Sequence, residues 1–269
     1  MLGKLGCWVE NIERCSVSDW KELIDRAKAL GFSWLLIKAG DQYLNSQFIR
    51  LLDSDTIDYA HQNDIQILSY NVSKPESWAA EVSTISFLLE RVDGHIVCLS
   101  DKWMGKAATA QQFMRLLRKR TTGFCGYSVP VEKAPHFPLE VFESNLDVSM
   151  PQLTSNLETS LGNLDKVTER LKSNDRLPTF PVMQPMLTTE MSKAFTIFEG
   201  IPFSINSWDQ VQKDDNSMLF GWLTSLNQAG MISLEVAEDF EVTEPEINED
   251  SGIISEQESD PAEETDPTT

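Results

Sequence analysis

The chain has 269 residues, of which 41% are hydrophobic, and a formal net charge of −20. This length allows one large domain or two small ones. The charge is uneven, because Lys213 is the last basic residue and 14 acidic residues lie from Glu235 onward. Residues 1–234 therefore hold 22 basic and 28 acidic residues, a net charge of −6. An acidic body without a basic stripe argues against nucleic-acid binding, which relies on lysine and arginine to neutralise phosphates.

The cysteines and the first residues of the chain favour some cellular locations over others. The cysteines Cys7, Cys15, Cys98 and Cys125 form no CxxC pair, so we expect neither a zinc site nor a disulfide framework. Reduced thiols favour an intracellular protein. The first residues lack the pattern of a signal peptide, and no run of about 18 apolar residues could span a membrane. We therefore expect a cytoplasmic or virion-associated protein without membrane contact.

Short apolar segments alternate with longer amphipathic ones along the chain. After a first apolar segment, a helix begins near Ser18, where Ser16 or Ser18 can cap it, and Gly31 supplies its stop. The same pattern then repeats. Strands are predicted at residues 6–10, 34–39, 65–70, 95–100, 123–129, 147–153, 179–183 and 201–208. Helices are predicted at residues 18–30, 47–62, 75–92, 107–120, 138–144, 155–171, 188–199 and 211–229.

Eight strand–helix units indicate an α/β protein with a closed (β/α)₈ TIM barrel over residues 1–235. An open, doubly wound sheet is the competing fold. Such a sheet usually carries a glycine-rich phosphate loop after its first strand, and residues 10–13 are not one. Serine-hydrolase, zinc-protease and P-loop motifs are missing from the sequence as well, so no cofactor or metal is predicted.

An acidic segment follows the predicted barrel. Residues 238–269 hold 13 acidic residues, three prolines and no lysine or arginine. Such a composition cannot bury enough apolar surface to offset its ordering entropy, so residues 236–269 are predicted to be a disordered tail. The tail can keep the protein soluble or bind a protein partner, and the apolar pair Ile253-Ile254 is a candidate binding motif.

In a TIM barrel the active site lies at the carboxyl ends of the strands. This rule selects four carboxylates as candidate catalytic residues: Glu10, Asp41, Asp101 and Asp209. It also selects five candidate substrate-binding residues: Tyr70, Trp103, Tyr127, Gln152 and Trp208. Carboxylates beside tryptophans suit a sugar site, because a carboxylic acid and a carboxylate together hydrolyse glycosidic bonds.

Each carboxylate also has a local structural explanation. Asp41 can close a turn, Asp101 can cap the loop after the fourth strand, and Asp209 can cap the helix that follows it. Glu10 ends the first strand, where a carboxylate without a partner would be costly, so it is expected to be functional or paired. Lys38 in the second strand would need a partner such as Glu10 if it points into the barrel.

The sequence resembles a known family over residues 31–41, 95–152 and 201–209. The middle stretch carries four features in order: Trp103-Met104-Gly105-Lys106, Gly126-Tyr127-Ser128, His136-Phe137-Pro138 and Met150-Pro151-Gln152. In this order they are similar to bacterial and phage TIM-barrel proteins related to glycoside hydrolases, close to the family-25 lysozyme type. The resemblance implies the barrel fold and a groove that faces a saccharide. Such hydrolases carry Asp-x-Glu at the end of strand four, where this chain has Cys98 and Ser100.

Two functions follow from these observations. The first is a glycoside-hydrolase-like barrel that binds or cleaves a polysaccharide, such as a cell-wall glycan. The second is a catalytically inactive barrel that serves as a structural or protein-binding module, for instance in a phage or secretion assembly. A pair of carboxylates about 5–9.5 Å apart in one cleft would favour the first.

Overall fold

Eight parallel strands close into a barrel in the computed structural model, which confirms the predicted fold class. The model describes residues 2–3, 5–40, 44–52, 55–153, 177–183 and 203–208. The strands are β1 (Leu5–Val9), β2 (Trp34–Gly40), β3 (Gln66–Ser73), β4 (Gly94–Leu99), β5 (Cys125–Pro130), β6 (Val148–Leu153), β7 (Val182–Met183) and β8 (Phe203–Ile205). Each strand pairs with the next in sequence, and β8 pairs with β1 to complete the ring.

Helices pack around the described part of the barrel. They are α1 (Trp20–Ala29), α2 (Ser46–Leu52), α3 (Thr56–Gln62), α4 (Trp78–Leu89), α5 (Ala107–Arg120) and α6 (Leu139–Glu143). Short 3₁₀ helices cover Ile12–Arg14, Asp101–Trp103 and Val131–His136. None of these helices is long and apolar enough to cross a bilayer. The helices predicted at 155–171, 188–199 and 211–229 and the predicted tail lie outside the described residues.

Several boundaries differ from the sequence prediction, and three of the differences have a clear local cause or consequence. The cap of α1 is Asp19, whose carboxylate accepts from the backbone N–H of Glu22, rather than Ser16 or Ser18. The predicted helix at 47–62 is two helices, since α3 begins anew after Asp55, in a short polar stretch that favours helix starts over helix interiors. The third strand runs three residues past the predicted end at Tyr70.

The core has an inner and an outer layer, because side chains alternate across each strand. Inside the barrel lie mainly large rings and aliphatic side chains, among them Trp8, Trp34 and Tyr70. Outside, one cluster joins the sheet to α1–α3 and a second joins it to α4–α6. The interior of the barrel is therefore filled with side chains, and a ligand can approach this interior only at the ends of the barrel.

Candidate functional site

The carboxyl ends of the strands meet at one end of the barrel, which we call the mouth. Glu10 follows β1, Lys38 lies near the end of β2, Asp101 follows β4 and Gln152 lies near the end of β6. Beneath them the indole of Trp8 packs on Tyr70 with ring centroids 4.8 Å apart and donates to Ser204 Oγ at 3.0 Å. The mouth thus has an aromatic floor and a polar rim.

At the mouth, strand four carries a thiol and a hydroxyl. Cys98 is buried inside the barrel, and desolvation raises the pKa of its thiol well above the ordinary value. Ser100 Oγ donates to the backbone carbonyl of Ser73 at 2.7 Å. A general acid must protonate the leaving oxygen of a glycoside, and neither group has the acidity for that step. At the end of strand four, therefore, neither Cys98 nor Ser100 can serve as the general acid.

Glu10 and Lys38 are half-buried and bring opposite charges close to Cys98. The charge of Lys38 lowers the pKa of the Cys98 thiol, whereas that of Glu10 raises it, and both effects are smaller than desolvation. Lys38 shares its face of β2 with Trp34 and Leu36, which lie inside the barrel, so strand alternation directs it inwards.

Asp101 lies on the outer rim and is already paired. Its carboxylate accepts hydrogen bonds from Lys133 Nζ at 3.0 and 2.8 Å, and its side chain is 61% exposed. This hydrogen bond raises the pKa of Lys133. An exposed ion pair of this kind contributes little to stability, but it links the segment after β4 to the segment after β5.

Three of the predicted substrate-binding rings are buried behind the sheet. Trp103, Tyr127 and Trp208 have exposed fractions of 0%, 0% and 1%. Trp103 packs on Phe113 and Phe142 with centroids 5.6 and 5.7 Å away. A ring without exposed surface cannot stack on a pyranose, so these three tryptophan and tyrosine side chains serve packing in this structure.

The hydrogen bonds of Trp103 and Tyr127 fit the same role. Trp103 Nε1 donates to Ser73 Oγ at 3.1 Å, and the Tyr127 hydroxyl donates to Glu143 Oε1 at 2.8 Å. Tyr127 shares its face of β5 with Cys125 and Val129, and this face points towards the helices. Buried indole and phenol groups usually find such partners.

The mouth keeps one of the predicted binding residues in a reachable position. Gln152 is half-buried, and its Nε2 donates to Ser128 Oγ at 3.0 Å. Tyr70 is 4% exposed and belongs to the aromatic floor. Asp41 and Asp209 lie outside the described residues. The structure therefore brings Glu10 and Gln152 to the mouth and turns Trp103, Tyr127 and Trp208 away from it.

A buried polar network on the outer face of β3 and β4 was missed by sequence reasoning. His95 Nε2 donates to Asn71 Oδ1 at 2.7 Å, and Ser69 Oγ donates to His95 Nδ1 at 2.8 Å. Burial lowers the pKa of His95 to about 3, so the imidazole is neutral. The available signal was the alternation of Ser69, Asn71 and Ser73, which places three polar side chains on one face of a strand.

Glu81 of α4 faces this network. Its carboxyl is buried, and desolvation raises its pKa, although hydrogen bonding from Asn71, Ser73 and the backbone of Lys74 opposes the rise. No group of three His, Cys, Asp or Glu side chains in the described part of the chain lies close enough together to hold a metal ion. The network is a buried polar cluster behind the sheet, separate from the mouth.

Comparisons with known proteins reveal similarity at the level of structure. No family model matches this sequence, and no curated protein matches it significantly. A chitinase from Bacteroides thetaiotaomicron superposes with a TM-score of 0.63 at 11% identity, over 87% of this chain and 98% of the chitinase. The chain shares the barrel fold of this enzyme.

Two further solved structures have the same barrel. A GH18 chitinase from Pseudoalteromonas aurantia gives a TM-score of 0.55 at 10% identity, over 84% of this chain and 100% of that one. A GH113 β-mannanase from Alicyclobacillus acidocaldarius gives 0.54 at 10% identity, over 85% of this chain and 95% of that one. These structures are glycoside-hydrolase barrels, which agrees with the fold implied by the sequence resemblance, while the family-25 type stays a prediction.

Proposed function

We propose that this protein is a carbohydrate-binding barrel of glycoside-hydrolase architecture that does not hydrolyse its ligand. The observation that carries the proposal is the pair Cys98 and Ser100 at the end of strand four, where the family that the sequence resembles has Asp-x-Glu. A neutral buried thiol and a hydroxyl committed to a backbone carbonyl cannot replace an acid and its partner carboxylate.

Carbohydrate binding is supported by the architecture and by the polar rim of the mouth. The structural neighbours include two chitinases and a β-mannanase, which act on polysaccharides. Glu10 and Gln152 offer a carboxylate and an amide at the mouth, and sugar hydroxyls can bond to both. A cell-wall glycan is the ligand that the lysozyme-type resemblance favours.

The first test of this proposal is turnover. We expect no product from the full-length protein on peptidoglycan, chitin oligosaccharides or mannan, as measured by reducing ends and mass spectrometry. Glu10→Gln and Asp101→Asn are assayed beside the wild type. Turnover that disappears in either variant would show a hydrolase with a displaced acid and would refute the non-hydrolytic proposal.

The second test is binding to the same glycans. We expect Gln152→Ala to weaken the affinity about fivefold, because one hydrogen bond contributes about 1 kcal/mol. Tyr127→Phe is the matched control: it removes a buried donor behind the sheet, so it should lower stability and leave the affinity unchanged. Calorimetry and pull-down on insoluble glycan measure both effects. If the wild type binds none of the glycans, the carbohydrate proposal fails, and the alternative is a protein-binding module.

A further inference from the structure

A cavity of about 130 Å³ lies between α4 and the strands β2, β3 and β4, on the outside of the barrel. We call it the outer pocket. Its polar wall is formed by Asn71, Ser77, Glu81, Thr84 and His95. Its apolar wall comes from Leu44, Ile85 and Leu88. The pocket therefore has both polar and apolar side chains in its lining, and the sheet separates it from the interior of the barrel.

The Glu81 side chain is incompletely satisfied within this pocket. The residue is 8% exposed, and its Oε1 has no hydrogen-bond partner among the residues that the structure describes. A buried carboxyl oxygen without a partner is costly, whether the group is ionised or neutral. A ligand that donates a hydrogen bond to Oε1 would remove this cost.

The other polar groups of the pocket present mostly acceptors. Ser77 Oγ donates to the carbonyl of Lys74 at 3.3 Å, and Thr84 Oγ1 donates to the carbonyl of Ala80 at 3.4 Å. Each hydroxyl therefore has lone pairs left to accept a hydrogen bond. The imidazole proton of His95 is committed to Asn71. The described residues that line the pocket include no lysine or arginine, so a cation would meet no like charge.

The size of the cavity limits the ligand. An apolar cavity of about 150 Å³ accommodates benzene, which has six heavy atoms. A volume of 130 Å³ therefore fits five or six heavy atoms. Water can bond to the polar lining, but it leaves Leu44, Ile85 and Leu88 without the apolar contacts that a ligand with a hydrocarbon body supplies.

We propose that the outer pocket binds a small primary amine as its ammonium ion, with a hydrocarbon body of four or five carbons. The ammonium donates to Glu81 Oε1 and to the hydroxyl oxygens of Ser77 and Thr84, while the hydrocarbon packs on Ile85 and Leu88. Hydrogen bonds between two charged groups are stronger than neutral ones, which favours an amine over an alcohol. This site is independent of glycan binding at the mouth.

The test uses the full-length protein and three probes of six heavy atoms each: cyclopentylamine, cyclopentanol and cyclopropanecarboxylate. At pH 8 we expect cyclopentylamine to bind at one saturable site by calorimetry. At ten times its dissociation constant it should raise the melting temperature by about 3 °C. The alcohol should bind at least tenfold more weakly, and the carboxylate should not bind. Equal binding of amine and alcohol, or no binding of the amine, would overturn the proposal.

Two variants assign the binding to this pocket. Glu81→Gln should weaken amine binding at least tenfold, whereas Glu90→Gln, at the exposed end of the same helix, should leave it unchanged. Thr84→Met fills the pocket from its half-exposed rim without altering Glu81, so it keeps the test decisive if Glu81→Gln fails to fold. Folding of each variant is checked by circular dichroism. Amine binding that survives Thr84→Met would show that the ligand lies elsewhere.

Discussion

Replacing Gly6 with alanine is expected to destabilise the barrel by more than about 3 kcal/mol, beyond the usual cost of overpacking. A Cβ at this position would lie 2.1 Å from Cε2 of Trp34 and 2.2 Å from Cδ2 and Cζ2. The ring cannot move aside, because Trp34 is fully buried and its Nε1 donates to the carbonyl of Gly3 at 3.2 Å. Close-packed interiors leave no room for such a displacement.

Urea denaturation followed by tryptophan fluorescence measures this effect. Gly123→Ala is the matched control, since its Cβ would lie 3.1–3.2 Å from the side chain of Leu89, which can yield slightly. We expect Gly123→Ala to cost less than about 1 kcal/mol. The double variant Gly6→Ala with Trp34→Leu should recover part of the loss. Wild-type stability in Gly6→Ala would show that the indole does not cover Gly6.

Acid should destabilise the protein through His95. Its pKa is lowered by burial to about 3 in the folded chain, from an ordinary value of 6.5. Below pH 6.5, therefore, His95 binds a proton in the unfolded chain but stays neutral in the folded chain until the pH approaches 3. The stability that depends on neutral His95 is fully present above pH 6.5. The free energy of unfolding falls as the pH drops from 6.5 towards 3. A tenfold change in proton affinity corresponds to about 1.4 kcal/mol, so the loss amounts to several kcal/mol.

Glu81 contributes to the pH dependence of stability with the opposite sign, so its effect has to be distinguished from that of His95. Its raised pKa means that the folded chain binds a proton at a pH where the unfolded chain has lost it. Its contribution to stability is present below the ordinary pKa of 4.5 and is lost as the pH rises through the raised value. The measurement is therefore made in the wild type and in Glu81→Gln.

Urea denaturation at several pH values between 7 and 4 shows the slope. His95→Gln should flatten the fall in stability in both backgrounds, because glutamine does not titrate. His61→Gln is the control, since His61 is exposed and bonded to Asp93 at 2.9 Å. If His95→Gln keeps the wild-type slope, then His95 is not the group that resists protonation.

The fold was predictable because its signal repeats eight times. Strands that are buried on both faces appear in the sequence as continuous apolar runs. The segments between them show the 3.6-residue hydrophobic period of helices. The end of β3 was harder to place. Asn71 and Ser73 look like the start of a loop, yet their side chains find partners in His95 and Trp103, so the strand continues. Tyr70 consequently moves from the strand end into the barrel.

The candidate site was less predictable, because position along a strand does not specify its face. Tyr127 lies in the middle of β5 rather than at its end, and the alternation of side chains along the strand directs it towards Glu143. Trp103 follows β4 and folds back onto Phe113. Sequence alone gives no sign of either direction, since a tryptophan suits a core as well as a sugar-binding surface.

The indole of Trp103 also has a consequence for ligand affinity. It joins the end of β3, through Ser73, to α5 and α6, through Phe113 and Phe142. The turn at Asp101–Trp103 is thereby fixed to three neighbouring elements, and the Asp101–Lys133 pair ties it to a fourth. A ligand that settles on this side of the mouth meets a preorganised surface, so little conformational entropy is lost on binding. If the proposed ligand binds on this side of the mouth, the contribution of this side to affinity would depend on the few groups that reach the ligand.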